Sequence, residues 1–268
     1  MLFGAQDGII KIGNTEMEYI SFGRGQETLI MIPGLGDGLK TVKGAAMAMS
    51  LLYRKYGKSY KVYVFSRKTV LEENYSTRDM AGDQREAMEK LGIAKAHIIG
   101  ISEGGMISQY MAIDYPDAVD KLVLVVTMSR QNETIKRTIG SWTGMANAGD
   151  YKSLFVDTIE KAYTEKHKRK YRPLYPILTK IGKPKSFDRF IIQAEAILHH
   201  DAYDELEKIS APTFVIGAGR DEVVGVNASL EIAGKISGSK LFIYENLGHG
   251  AYEEAKDFNR HVLDFLKS

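Results

Sequence analysis

The sequence contains no cysteine. Disulfides, thiol nucleophiles and cysteine-ligated metals are therefore excluded. An excess of charge of either sign is missing too: 36 Lys and Arg stand against 34 Asp and Glu, a net charge of +2. That balance gives no general argument for nucleic-acid binding. Long apolar runs are also absent. The longest, Leu122 to Met128, is far too short to span a bilayer, so no stable membrane insertion is expected. The opening Met-Leu-Phe-Gly-Ala-Gln-Asp lacks a basic region followed by a long apolar stretch. No signal peptide is therefore expected, and the expected location is cytoplasmic. There is no internal repeat and no low-complexity tract. No Gly-Lys-Ser/Thr follows the glycine-rich stretch at 33–38, which excludes a phosphate loop of that type.

What remains is a chain of 268 residues, 44% hydrophobic, long enough for one large α/β domain or a domain with an insertion. Residues 8–13 and 16–22 alternate about Gly13-Asn14 and predict a hairpin. Buried strands are expected at 28–32, 96–99 and 121–127, and further strands at 61–65, 213–217 and 240–244. Helices are expected at 39–56, 77–91 (capped by Ser76 or Thr77), after residue 102, at 226–236 and at 251–267. Strand and helix alternate, which predicts a mostly parallel sheet with helices on both faces. The alternation stops over 129–207, where aromatic and aliphatic residues recur at helical spacing. This segment is expected to be a helical lid inserted into a core formed by 1–128 and 208–268. Its stretch Lys161 to Arg172 is strongly basic and reads as a solvated helix face rather than an anion or membrane patch.

Chemistry concentrates at Gly100-Ile101-Ser102-Glu103-Gly104. An apolar strand precedes it and a helical pattern follows, the context a nucleophile elbow requires. The tight turn would strain Ser102 and expose its hydroxyl. It would also put the Glu103 N–H, at a helix start, near a developing oxyanion. The loop Pro33-Gly34-Leu35-Gly36-Asp37-Gly38 leaves a central strand and could supply a second donor, from Leu35 or Gly36. A serine needs a base, and the base needs a carboxylate to orient it. Of six histidines, His97 lies inside a strand, His167 in the basic run, His199 and His200 at the lid's end, and His261 on the last helix. His249 alone stands in a glycine-flanked loop after the last strand. Asp221, with Glu222 as its rival, stands in the loop after the preceding strand.

Serine, then acid, then histidine is the chain order of the α/β-hydrolase superfamily, which the sequence resembles from about residue 8 to 267, in its lidded carboxylesterase-like group. The matching stretches are Pro33-Gly34-Leu35-Gly36, Gly100 to Gly105, Ala211-Pro212-Thr213 leading to Gly219-Arg220-Asp221, and Leu247-Gly248-His249. Many relatives have His-Gly where this chain has Pro33-Gly34. The resemblance implies Ser102 as nucleophile, His249 as base, Asp221 as orienting acid, and the N–H groups of Glu103 and Leu35 as oxyanion donors. It implies a serine hydrolase of carboxylic esters or related acyl compounds, acting on a small molecule without metal or organic cofactor. The alternatives are a carbon–carbon bond hydrolase or lyase on the same residues, or a ligand-binding member without turnover.

Overall fold

A computed structural model describes residues 4–268. The first three residues of the expected core lie outside the described residues. The strands are β1 (Gln6–Ile12), β2 (Thr15–Phe22), β3 (Glu27–Ile32), β4 (Tyr60–Lys68), β5 (Ala96–Ile101), β6 (Val119–Val125), β7 (Thr213–Ala218) and β8 (Lys240–Tyr244). They form one sheet in the order β1-β2-β4-β3-β5-β6-β7-β8. β1 and β2 pair antiparallel, as do β2 and β4; every later pair is parallel.

Continuous apolar strands are buried on both faces, and successive side chains enter opposite cores. Ile30, Ile32, Ile98, Leu122 and Leu124 face one core. There they meet α3 (Thr77–Lys90) and α4 (Glu103–Asp114). Leu29, Met31, Ile99, Val123 and Val125 face the other core. That side is covered by α1 (Ala46–Leu52), α2 (Arg54–Gly57), α11 (Ala251–Glu254) and α12 (Phe258–Lys267). Between β6 and β7 the chain forms α5 (Glu133–Asn147), α6 (Tyr151–Ala162), α7 (Glu165–Tyr171), α8 (Tyr175–Ile181) and α9 (Asp188–Leu198), and adds no strand to the sheet. Helix α10 (Ala228–Lys235) links β7 to β8. No helix among the described residues is long and apolar enough to cross a membrane.

The helix expected at 39–56 starts only at Ala46 and breaks at Tyr53. Its first third is diverted: Val42 N–H donates to Ser66 Oγ at 3.0 Å and Gly44 N–H to Asp7 Oδ1 at 2.6 Å. Gly44 has φ +78°, which no helix contains. Leu52, at the end of α1, is 64% exposed. Strand β4 runs to Lys68, through the polar Ser66-Arg67-Lys68 and beyond the expected end at residue 65. The closing helix is interrupted at Ala255, which is extended at ψ 117°, and resumes at Phe258. Helix α4 is buried on every side from Glu103 to Ala112, rather than on one face.

Candidate active site

The sheet order sets the site. After β3 the chain turns to one side, to β4; β5 then pairs on the other side of β3. The loops leaving β3 and β5 part in opposite directions and open a crevice at the strands' carboxyl ends, the ligand position of open α/β sheets. Those two loops carry Pro33–Gly38 and Ser102.

Ser102 has φ 55° and ψ −119°, a conformation that costs a β-substituted residue about 1–3 kcal/mol. Neighbours over-determine it. Its N–H donates to Val125 O at 2.9 Å, and its carbonyl accepts from Gly105 N–H at 2.9 Å and Thr127 Oγ1 at 2.7 Å. Gly104 makes the turn possible: a Cβ there would fall 2.0 Å from Ile32 O. The elbow can therefore press directly on the end of β3.

The structure brings together the three side chains expected to meet. His249 Nε2 lies 3.0 Å from Ser102 Oγ, and His249 Nδ1 lies 2.9 Å from Asp221 Oδ2. The other Asp221 oxygen accepts from Val223 N–H at 2.8 Å and Val224 N–H at 3.0 Å. Asp221 is buried, whereas its rival Glu222 is exposed and takes no part. The histidine loop is itself tied down, Gly250 N–H donating to Ala162 O at 2.8 Å.

Helix α4 begins immediately after Ser102, and a short 3-10 turn begins at Leu35. First-turn N–H groups have no partner within their own helix. Among the described residues no acceptor takes the N–H of Glu103 or Leu35. A cavity of about 360 Å³ lies above Ser102 and His249, within the range of small-molecule sites. Leu35, Ile101, Trp142, Ile159, Tyr163 and Tyr252 give it an apolar wall, and among the described residues Lys40 is the one Lys or Arg that lines it.

Beneath the loop lies a group of charges that sequence reasoning missed. Arg67 and Glu103 are fully buried and paired at 2.5 Å, and the same guanidinium nitrogen reaches Pro33 O at 2.5 Å. Burial pushes the Glu103 carboxyl up to about 7, against the pull of Arg67. Asp37 Oδ2 accepts from Arg67 N–H at 3.0 Å and from the Arg189 guanidinium at 2.8 Å. Arg189, on α9, also donates to Asp37 O at 2.7 Å. Gly38 lets α9 sit against this loop: a Cβ there would fall 2.6 Å from Phe190 Cα. The one available signal was an aspartate and an arginine beside apolar strands; nothing in their spacing joins them to residue 189.

The remaining histidines lie elsewhere. His97 is buried in β5, edge-on to Tyr60, as a packing residue. His200, expected at the surface or in the lid, is instead fully buried against Thr77 Oγ1 at 2.9 Å. Burial holds its pKa down to about 3, so it stays neutral. It packs there because Tyr110 covers its ring. His167 stacks on Tyr163, and His261 lies against Phe242. Among the described residues no group of three His, Asp or Glu is arranged to hold a metal ion.

A family model described as the alpha/beta hydrolase fold matches residues 28–256. A RutD protein of Caulobacter sp. (strain K31), named for carbamate hydrolysis, is 27% identical over 248 residues, covering 90% of this chain and 91% of that one. A 2-hydroxy-6-oxononadienedioate/2-hydroxy-6-oxononatrienedioate hydrolase of Klebsiella pneumoniae is 25% identical over 267 residues, covering 91% and 88%. The crystal structure of MGS-M2, an alpha/beta hydrolase enzyme from a Medee basin deep-sea metagenome library, superposes with a TM-score of 0.86 at 20% identity, covering 97% and 98%.

Proposed function

Since the chain belongs to the alpha/beta hydrolase fold family, we propose that it is a serine hydrolase of carboxylic esters or related acyl compounds, with residues 129–207 as a lid over the site. The observation that carries this reading is the unbroken chain from Ser102 Oγ through His249 to Asp221, at 3.0 and 2.9 Å. In this reading His249 Nε2 takes the Ser102 proton as Oγ attacks the carbonyl carbon. Asp221 accepts from Nδ1–H, which fixes the tautomer and stabilises the imidazolium. The N–H groups of Glu103 and Leu35 receive the oxyanion, each contributing about 3 kcal/mol. His249 then protonates the leaving alcohol. A water then attacks the acyl carbon and gives a proton to His249, which passes it to Ser102 Oγ as the acid is released.

The second reading, hydrolysis of a carbon–carbon bond in a dicarboxylate, draws on the Klebsiella pneumoniae relative, whose name specifies a dioate. A dianion needs cationic or multiple polar partners when it leaves water. The apolar wall, with Lys40 offset by Asp37 in the same lining, favours an uncharged acyl or alcohol group.

The test is a chain-length series of p-nitrophenyl esters beside lactone, carbamate and dioate substrates. Ester turnover that vanishes in Ser102→Ala, with fluorophosphonate labelling at Ser102, is the expected result. Wild-type-like hydrolysis by Ser102→Ala overturns the assignment. Labelling without ester turnover would move it to another acyl or carbon–carbon bond.

A further inference from the structure

Residues 161–185 hold nine Lys and Arg against a single Glu, while the rest of the chain has twenty-seven basic against thirty-three acidic residues. The near-neutral total therefore conceals a strongly basic segment on an acidic body. From Glu165 to Ile181 the segment is close to one helical rod. Helix α7 passes into α8 through a single 3-10 turn, and Tyr171, Arg172, Leu174 and Tyr175 all have right-handed helical backbone.

One face of this rod is exposed along its whole length: Lys166, Arg169, Lys170, Pro173, Leu174, Ile177, Lys180 and Ile181 recur at helical spacing. Leu174 is 45% exposed, Ile177 56% and Ile181 79%. The opposite face turns inward. His167 stacks between Tyr163 and Tyr171 at 4.7 and 5.1 Å, and Tyr163 lines the cavity above Ser102. Among the described residues Lys166, Arg169, Lys170, Lys180, Lys183 and Lys185 form no ion pair, whereas Lys161, Lys168 and Arg172 are matched by Asp157, Glu160 and Glu165.

A basic helix face alone is ordinary solvated surface. Three aliphatic side chains standing out of it are not, because they leave apolar area in water with nothing to cover it. Uncompensated cations flanking an exposed apolar ridge match a negatively charged lipid interface, where the ridge enters below the headgroups and the cations meet them. We propose that this face of the Glu165–Ile181 rod docks on an anionic lipid surface and brings the cavity mouth to it. A second copy of the chain fits poorly, because pairing the face with itself opposes two basic rims. A nucleic acid would engage the cations and leave the ridge without a role. Docking does not depend on which bond the site cleaves.

The test is flotation of the full chain with vesicles of phosphatidylcholine alone or with about 30% phosphatidylglycerol, at about 0.1 M and 0.5 M salt. Partition onto the anionic vesicles is expected to be at least about tenfold greater, and to fall to the neutral level at the higher salt. Ile177→Ser/Ile181→Ser should lower anionic partition about tenfold, and Lys166→Glu/Lys170→Glu should abolish it, with the unfolding midpoint unchanged in both. Equal partition onto the two vesicle types overturns the proposal. So does anionic binding that the serine pair leaves intact, which would be diffuse charge attraction. A dimer in light scattering that the serine pair dissolves, with no vesicle binding, overturns it in favour of self-association. Binding of transfer RNA that the serine pair leaves unchanged, with no vesicle binding, overturns it in favour of a nucleic acid.

Discussion

On one side of Ser102, His249 and Asp221 are held by uncharged groups: Val223 N–H, Val224 N–H and the loop's own backbone bonds. On the other, the loop from Pro33 to Gly38 is held by charged pairs, the fully buried Arg67 with Glu103 and the half-buried Arg189 with the loop's own Asp37. For Asp221 the donors lie two and three residues from their acceptor, while the histidine loop is tied to Ala162 O, far away in sequence. The second arrangement joins residues 36 and 152 positions apart. The carboxylate beside His249 is thus fixed by short-range backbone bonds, while the Pro33–Gly38 loop across from it depends on charge pairs spanning the chain. The two halves should fail differently.

The largest effect is expected on the neutral side. Asp221→Asn should lower kcat about 10⁴-fold by favouring the wrong imidazole tautomer, while Glu222→Gln changes it less than about twofold. Equal effects in steady-state kinetics would move the orienting role to Glu222. On the charged side, Arg67→Met frees Pro33 O and Glu103 together. It should lower kcat about 100-fold with KM little changed, since small displacements of a positioned group cost that much. A loss confined to KM would mean that Arg67 acts on substrate binding instead. Arg189→Met removes only the tie from α9 and should lower kcat about tenfold, with Arg189→Lys recovering part of it.

The smallest expected effect is on stability against pH. A carboxyl whose pKa is raised by folding, here Glu103 from 4.5 to about 7, holds its proton more tightly in the native state. Its contribution is complete below about pH 4.5 and is lost as pH rises to about 7. Urea midpoints across that window should fall less steeply for Arg67→Met/Glu103→Leu than for the native chain. Removing one partner alone should be asymmetric. Glu103→Gln keeps a neutral oxygen beside the guanidinium, as the protonated carboxyl does, and should flatten the same slope. Arg67→Met leaves a carboxyl that can take a proton.

The same contrast explains what could be read from residues in order. The strands were legible because burial on both faces demands continuous apolar runs, as in Thr28-Leu29-Ile30-Met31-Ile32. The elbow, Asp221 and His249 were legible because each follows a strand and carries its own glycine or backbone signal. Arg67 fell beyond the expected strand 61–65 because its charge has no visible partner in sequence; Glu103 and Pro33 O provide that partner only after folding. Residues 39–45 read as helix because nothing local reveals that Ser66 and Asp7 capture their N–H groups.

The contact of Gly38 with the Phe190 backbone bears on how such proteins can be recombined. A helical segment transplanted from a relative would arrive without the surface that residue 38 requires, and without a guanidinium for Asp37. In this chain the part that would select the substrate and the part that would hold the anion are not separable modules. A chimera that exchanges the first should carry the second with it.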